Sequence, residues 1–168
     1  GLYRREFARR KIIETLAADK AAHKRFSLML FDVDNFKNAN DQHGHVFGDQ
    51  VLRTVARRAQ EVVRNSDVVA RAGGDEFMIF FEYSTDITSV AERIFNSLGG
   101  VYNGFDTTIS MGVALASTDA MEYDELFQHA DQALYSAKHK GRNRYCFYDE
   151  TMANLFSVLS PIADQMTL

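Results

Sequence analysis

Apolar residues follow two patterns along this chain: short dense runs, and longer stretches in which they recur every three or four positions. Dense runs indicate strands, and recurrence at helical spacing indicates helices that pack by one face. The predicted strands are Phe26 to Val33, Asp67 to Ala72, Glu76 to Tyr83, Phe105 to Ala116 and Arg144 to Tyr148. The predicted helices are Arg4 to Lys20, a long helix containing Val51 to Val63, Ile87 to Leu98 and Tyr123 to Lys140. This alternation predicts an α/β (α+β) sandwich whose core contains the Met and Phe side chains.

Composition narrows the class of protein. With 168 residues, 46% of them hydrophobic, the chain can bury one core. A net charge of −4 and a pI near 5.7 argue against a nucleic-acid binder, which needs a basic face. The single cysteine, Cys146, cannot form an internal disulfide and is expected in a reducing compartment. No run is long enough to cross a bilayer, so we expect no membrane contact by this fragment.

A first acidic element follows a strand. The run Leu28 to Val33 leads into Asp32 and Asp34, which are spaced two positions apart and therefore share a face. Carboxylates at the end of a buried strand are costly unless a cation or hydrogen-bond donors neutralise them. Mg²⁺ takes such carboxylates together with substrate phosphates, although a solvated strand end is the alternative for one cluster alone.

A second acidic element lies between two predicted strands, at Gly73, Gly74, Asp75 and Glu76. The two glycines predict a two-residue turn with positive φ, and they remove side chains where phosphates could approach the backbone. Asp75 and Glu76 begin the next strand, so their side chains point to opposite faces. With both acidic elements and several cations in one small domain, a metal and phosphate site is indicated.

The ordered set of motifs resembles the GGDEF diguanylate cyclases, a family named for the hairpin motif that lies here at Gly73 to Phe77. Order and spacing agree with the family from about Phe26 to Phe147. The other matching segments are Phe31 to Lys37, Asn38 to His45 followed by Gly48-Asp49, Thr108 to Ala114, Ala130 to Lys138 and Gly141 to Arg144.

The resemblance implies both a fold and an activity. The fold is a five-stranded, mostly antiparallel central sheet wrapped by helices, similar to the palm of nucleotide cyclases and polymerases, with Asp32 close to Asp75. The activity is a nucleotidyl transfer that joins two GTP into cyclic di-GMP and releases two pyrophosphates, in the cytoplasm. The reaction requires Mg²⁺ or Mn²⁺. It also requires a homodimer, because each domain holds only one of the two GTP molecules.

The same resemblance assigns site residues. The metal ligands would be Asp32, the carbonyl of Val33, Asp75 and Glu76. Asp75 would also assist deprotonation of the attacking 3′-hydroxyl, with Glu76 and Lys37 as further catalytic residues; whether Asp75 is a general base or only a ligand stays open. Guanine would be bound by Asn40 and Asp49, and phosphates by cations. The substrate-binding set is Phe36, Lys37, Asn40, His45, Asp49, Gly73, Gly74, Lys138 and Arg142.

Arg64-Asn65-Ser66-Asp67 matches the family's inhibitory RxxD motif. The resemblance implies that Arg64 and Asp67 bind cyclic di-GMP away from the active site, which would give product inhibition. The alternative is a helix end followed by an Asp-capped turn.

The sequence also predicts the bounds of the domain, and it leaves alternative functions open. Residues 1–149 are interpreted as the catalytic domain with a truncated entry helix, and residues 150–168 as a tail or linker, within a longer protein that could carry a membrane anchor. The alternative function is a noncatalytic module that binds GTP or cyclic di-GMP. A third candidate function is a cyclase that makes a different dinucleotide. The presence of Asp49 argues against it, because Asp49 favours recognition of guanine.

Overall fold

The computed structural model describes residues 2–18, 24–84, 86–116 and 122–152. The predicted end of the first helix at Lys20 and nearly all of the proposed tail lie outside these residues. No helix among the described residues could span a membrane. In chain order, the elements are β1 (Tyr3–Arg4), α1 (Arg5–Ala18), β2 (Arg25–Val33), α2 (Phe36–Val62), β3 (Val68–Arg71), β4 (Glu76–Tyr83), α3 (Ile87–Leu98), β5 (Gly100–Tyr102), β6 (Phe105–Thr107), β7 (Ile109–Ala116), α4 (Tyr123–His139) and β8 (Tyr145–Phe147).

The central sheet has the strand order β1-β3-β4-β2-β7-β8. The three inner pairings, β3 with β4, β4 with β2 and β2 with β7, are antiparallel. The two outer pairings, β1 with β3 and β7 with β8, are parallel. The five predicted strands are all present, and the two-residue edge strand β1 adds a sixth that the sequence did not predict.

Alternation along the strands gives the sheet two apolar faces. Met29 and Phe31 pack with α2 and α3, whereas Leu28 and Leu30 pack with α1 and α4. Helices therefore cover both faces, and the predicted sandwich is confirmed. By the same alternation, Asp32 lies on the face covered by α1 and α4.

The predicted strand Phe105 to Ala116 is wrong at its start. β6 pairs with β5 in a separate two-stranded sheet, whereas β7 pairs with β2 in the central sheet. Thr108 lies between the two strands, and its carbonyl accepts a hydrogen bond from the backbone N–H of Asp34. This bond holds Thr108 against the end of β2, so the chain changes sheets there.

The long helix α2 begins at Phe36, and it is interrupted at Gly44, whose φ of 87° and ψ of 167° are not helical. A positive φ of this size is accessible mainly to glycine. Asp49 therefore lies inside the second segment of α2, which follows Gly44.

Helix α4 lies unusually close to β7. A Cβ atom added at Gly112 would be 2.2 Å from both the carbonyl oxygen of Ala130 and the backbone nitrogen of Leu134. Glycine is therefore what allows the helix backbone to rest on the strand. This contact fixes the position from which α4 presents its polar residues to the end of β2.

Candidate active site

Asp32, near the end of β2, is only 7% exposed. Its Oδ2 contacts the Nζ of Lys138, which reaches over from α4. Its Oδ1 is buried and has no hydrogen-bond partner among the described residues. Burial raises the pKa of the Asp32 carboxyl, and the charge of Lys138 opposes that shift. One oxygen is thus neutralised by a lysine, and the other is left for a further cation or donor.

Two more carboxyls lie beside Asp32. Glu76 is its direct partner in the β2/β4 ladder. Burial, reinforced by the charges of Asp32 and Asp131, raises the pKa of Glu76 to about 7. Asp75 is partly buried, and its charge adds to the effect of burial on the pKa of Asp32. The expectation that the end of β2 meets the central hairpin is therefore confirmed.

The chemistry of this group suits a hard divalent cation. Burial raises the pKa of the Asp32 and Glu76 carboxyls and so disfavours their ionised form, and one Asp32 oxygen is unpaired among the described residues. A divalent cation would remove that penalty. Among the described residues, no three His, Cys, Asp or Glu side chains are already gathered as a metal centre. Asp32, Asp75, Glu76 and the Val33 carbonyl are the groups that could contribute, with further oxygens coming from a substrate.

Asp34 has a different role from Asp32, which the sequence pattern did not reveal. Its carboxylate accepts hydrogen bonds from Thr108 Oγ1 at 2.8 Å, Ser110 Oγ at 2.6 Å and the Asn143 backbone N–H at 3.0 Å. Arg142 Nη1 lies 3.9 Å from the same group. Asp34 is therefore neutralised by donors, and it ties β2 to β7 and to the loop after α4, where Arg142 lies.

The hairpin tip differs from the predicted two-residue turn. Residues 72–75 connect β3 to β4, and the N–H groups of Ala72 and Gly73 both donate to the carbonyl of Glu76. The guanidinium of Arg71 donates to the carbonyls of Gly73 and Gly74. This network closes the tip without positive φ at either glycine, so the predicted primed turn is wrong.

The two tip glycines are nevertheless open to their surroundings. A Cβ at Gly74 would have no neighbour within 4 Å, and one at Gly73 would meet only the Glu76 side chain at 3.7 Å. Neither the local conformation nor the packing requires glycine here. What remains of the prediction is an unobstructed backbone beside three carboxyls, where a phosphate chain could approach.

The side chain of Asn40 packs against Gly48, the residue that precedes Asp49. A Cβ at Gly48 would lie 1.7 Å from Asn40 Oδ1, so the absence of a side chain there lets the amide, on the first segment of α2, pack against the second segment. Asn40 Oδ1 is buried without a hydrogen-bond partner in the described part of the chain. Asp49 follows, exposed, and lines an open pocket of about 230 Å³ together with Arg53 and Arg71. An unpaired amide next to an exposed carboxylate suits recognition of a polar base edge.

Phe36, Lys37 and His45 are further predicted substrate contacts, and all three lie in α2. Phe36, the first residue of α2, packs at the edge of the core, and its ring would lie 3.2 Å from a Cβ at Gly48. Lys37 and His45 are exposed and have no bonded partner among the described residues. They are therefore free to contact a ligand.

A sequence profile of the diguanylate cyclase GGDEF domain matches residues 1–144. The chain belongs to the GGDEF family. MucR of Pseudomonas aeruginosa, a bifunctional diguanylate cyclase/cyclic di-GMP phosphodiesterase, is 38% identical over 135 residues, which are 77% of this chain and 20% of MucR. Diguanylate cyclase A of Treponema denticola is 39% identical over 125 residues, which are 70% of this chain and 34% of that protein. The matched residues thus span about a third or less of the length of these two relatives.

A solved structure shares the fold. The GGDEF domain of DgcB from Caulobacter crescentus, in complex with c-di-GMP, superposes with a TM-score of 0.78 at 28% identity, covering 87% of this chain and 91% of that one. The expected GGDEF fold is therefore confirmed. Diguanylate cyclases of this family use a divalent metal, which agrees with the carboxyl cluster described above.

In this GGDEF domain, the RxxD residues form a compact turn. The backbone N–H of Arg64 donates to Asp67 Oδ2 at 2.8 Å, and Arg64 Nη2 donates to the Glu82 carbonyl at 2.7 Å. The side chain of Asp67 is 7% exposed and that of Arg64 is 67% exposed. Arg64 and Asp67 both line two open pockets, of about 200 and 210 Å³. The Asp-capped turn is thus present, and the guanidinium beside it remains accessible.

Two charged residues of the GGDEF domain were not predicted as part of the site. Asp131 in α4 is partly buried, which raises the pKa of its carboxyl, whereas the charges of Lys138 and Arg5 oppose that shift. Arg5 in α1 stacks 4.4 Å from the Phe127 ring centre. The seven-residue spacing of Asp131 and Lys138 is the one sequence signal for their common helix face.

Proposed function

We propose that this domain is a diguanylate cyclase, which joins two GTP into cyclic di-GMP and releases two pyrophosphates. The observation that carries the proposal is the buried Asp32 carboxylate with one unpaired oxygen, beside Glu76 and an unobstructed Gly-Gly tip. This arrangement suits phosphoryl transfer, which depends mainly on positioning and on neutralising charge. We assign the catalytic unit to residues 1–149, with residues 150–168 as a tail or linker.

The acids would hold a divalent metal, Mg²⁺ or Mn²⁺. Asp32, the Val33 carbonyl and Asp75 are the proposed ligands, with Glu76 as a further one. When bound, the ion supplies the positive charge that neutralises triphosphate oxygens. Asp75 assists removal of the proton from the attacking 3′-hydroxyl, because it lies in the open tip and is only partly buried.

Cations and backbone would hold the triphosphate. Lys37, Lys138 and Arg142 are the proposed phosphate contacts, with Lys37 completing the catalytic set. Arg142 is well placed because Asp34 holds the loop that carries it. Gly73 and Gly74 allow the phosphates to approach, and Phe36 and His45 line the nucleotide.

Guanine would be recognised by Asn40 and Asp49. The carboxylate accepts from the N1 and N2 hydrogens of the base, while the amide contacts the carbonyl side. A site built on such bonds discriminates strongly, because the wrong base leaves buried polar groups unpaired.

The test is incubation of the purified chain with GTP and Mg²⁺ or Mn²⁺, followed by chromatography of the products. We expect one cyclic di-GMP for every two pyrophosphates, with no cyclic dinucleotide from ATP. Because one domain holds one GTP, turnover per domain should rise with protein concentration until homodimers saturate. Cytoplasmic GTP is the proposed substrate pool. Tight GTP binding with no product would instead favour a noncatalytic regulatory module.

Product inhibition through Arg64 and Asp67 is the second part of the proposal. Replacing Arg64 with alanine should raise the inhibition constant for cyclic di-GMP about tenfold or more, since a guanidinium makes the strong directed bonds to a guanine edge or phosphate. The initial rate should stay unchanged, because the Asp67 cap on the residue 64 N–H is retained. The measurement is initial velocity against added cyclic di-GMP.

The matched control for that experiment is Arg57→Ala. Arg57 is an exposed arginine paired with Glu61 on α2, outside the pockets beside Arg64. It should leave both rate and inhibition unchanged. Inhibition of Arg64→Ala at the parental concentration would show that the product competes at the active site instead.

A further inference from the structure

Two residues with different proposed tasks are in direct contact. Lys138 Nζ contacts Asp32 Oδ2, although Asp32 is the proposed metal ligand and Lys138 a proposed phosphate contact. The lysine side chain is 34% exposed and the aspartate side chain 9% exposed. The contact therefore joins a buried acid to a lysine whose side chain is partly exposed.

A lysine at Oδ2 and a divalent cation at the unpaired Oδ1 would share the single negative charge of the Asp32 carboxylate. An ammonium group on the carboxylate already supplies the charge that makes its burial tolerable. A divalent cation at the same carboxylate would compete with that ammonium. The lysine stem is flexible and carries a compact charge, so the head group can move without displacing α4.

The surrounding charges keep Lys138 near the site after it leaves Asp32. Glu76 of β4 and Asp131 of α4 both interact with Lys138, while Arg5 of α1 is the other cation facing these acids. Asp75 completes the acidic side of the cluster. A lysine released from Asp32 would therefore stay at the mouth of the site, where an anionic triphosphate would attract it.

We propose that Lys138 is the resident counter-ion of Asp32 in the nucleotide-free domain, and that it yields Asp32 to the divalent metal and turns to the triphosphate when GTP binds. This inference rests on the proposed function and adds an order of events to it. Metal alone binds weakly, because Lys138 already neutralises the Asp32 carboxylate and has no phosphate to which it can move. Metal and nucleotide bind cooperatively, because the phosphates supply that partner. The lack of a gathered three-ligand centre among the described residues agrees with this order.

The test is binding of Mn²⁺ without nucleotide, measured by calorimetry and by the electron paramagnetic resonance signal of free Mn²⁺, at pH 8 to limit competition by protons. Lys138→Met keeps the length of the side chain and removes its charge. We expect this variant to bind Mn²⁺ about tenfold more tightly than the parent, since the competing ion pair is partly buried. The same variant should bind GTP with Mn²⁺ more weakly than the parent.

Two controls locate the effect. Lys140→Met removes an exposed charge at the end of the same helix and should leave Mn²⁺ affinity unchanged. Adding Asp32→Asn to Lys138→Met should abolish the gain, because the released carboxylate is gone. Thermal unfolding of each variant shows whether the domain is still folded.

Equal Mn²⁺ affinity in the parent and in Lys138→Met would overturn the inference, as would a gain that persists without the Asp32 carboxylate. This outcome is distinct from failure of the proposed function. Absence of cyclic di-GMP from GTP would reject the cyclase, whereas the nucleotide-free titration reports on the exchange at Asp32 alone.

Discussion

Asp75→Asn is expected to lower cyclic di-GMP synthesis at saturating GTP by at least about a hundredfold. The amide keeps the size of the side chain but removes the charge that would balance a cation at the hairpin tip. The substitution should affect folding little, since Asp75 precedes β4 and is only partly buried. The measurement is the rate of pyrophosphate release under conditions that give a linear parental rate.

The control for this variant is Asp106→Asn, an exposed aspartate in β6 that belongs to the separate two-stranded sheet. It should keep the parental rate. The affinity of Asp75→Asn for a fluorescent GTP analogue should stay close to that of the parent, because base and phosphate contacts come largely from other residues. Parental turnover by Asp75→Asn would remove this carboxylate from the mechanism and would leave Asp32 and Glu76 to hold the ion.

Local sequence patterns predicted the central part of this fold because its buried strands consist of dense apolar runs. β2 and β4 are dense apolar runs, and their antiparallel pairing places Asp32 opposite Glu76. The edge strand β1 has only two residues, so no pattern could reveal it. The break at Thr108 was also hidden, because it depends on a backbone bond to Asp34 and not on the composition of the segment.

Part of the candidate site could likewise be predicted from the sequence, and part could not. Motif order correctly indicated that Asp32 and the hairpin tip lie together. It could not separate the tasks of Asp32 and Asp34, because the donors that satisfy Asp34 come from residues 74 to 109 positions away. The contact of Lys138 with Asp32 also needs the close packing of α4 on β7, which only the three-dimensional structure shows. The tip glycines suggested a primed turn, whereas Arg71 closes the tip instead.

Glycine substitutions can distinguish residues that serve the fold from residues that serve the ligand. Gly112→Ala should lower the free energy of unfolding by about 3 kcal/mol, because overpacking forces backbone to move. The added methyl group would be 2.2 Å from both Ala130 O and Leu134 N, so α4 must shift away from β7. Lys138 moves with the helix, and cyclase activity should fall as well. Guanidinium unfolding followed by circular dichroism measures the loss of stability.

Gly74→Ala is the matched comparison. A methyl group there meets no atom within 4 Å, and the backbone does not have positive φ, so stability should change by less than about 0.5 kcal/mol. Activity should nevertheless fall sharply if the open tip is where the triphosphate approaches. The two variants would then lose synthesis for different reasons, one through displacement of α4 and the other through obstruction of the ligand. Equal stability of the two would mean that α4 moves freely off β7, and Lys138 would lose the fixed position from which it reaches Asp32.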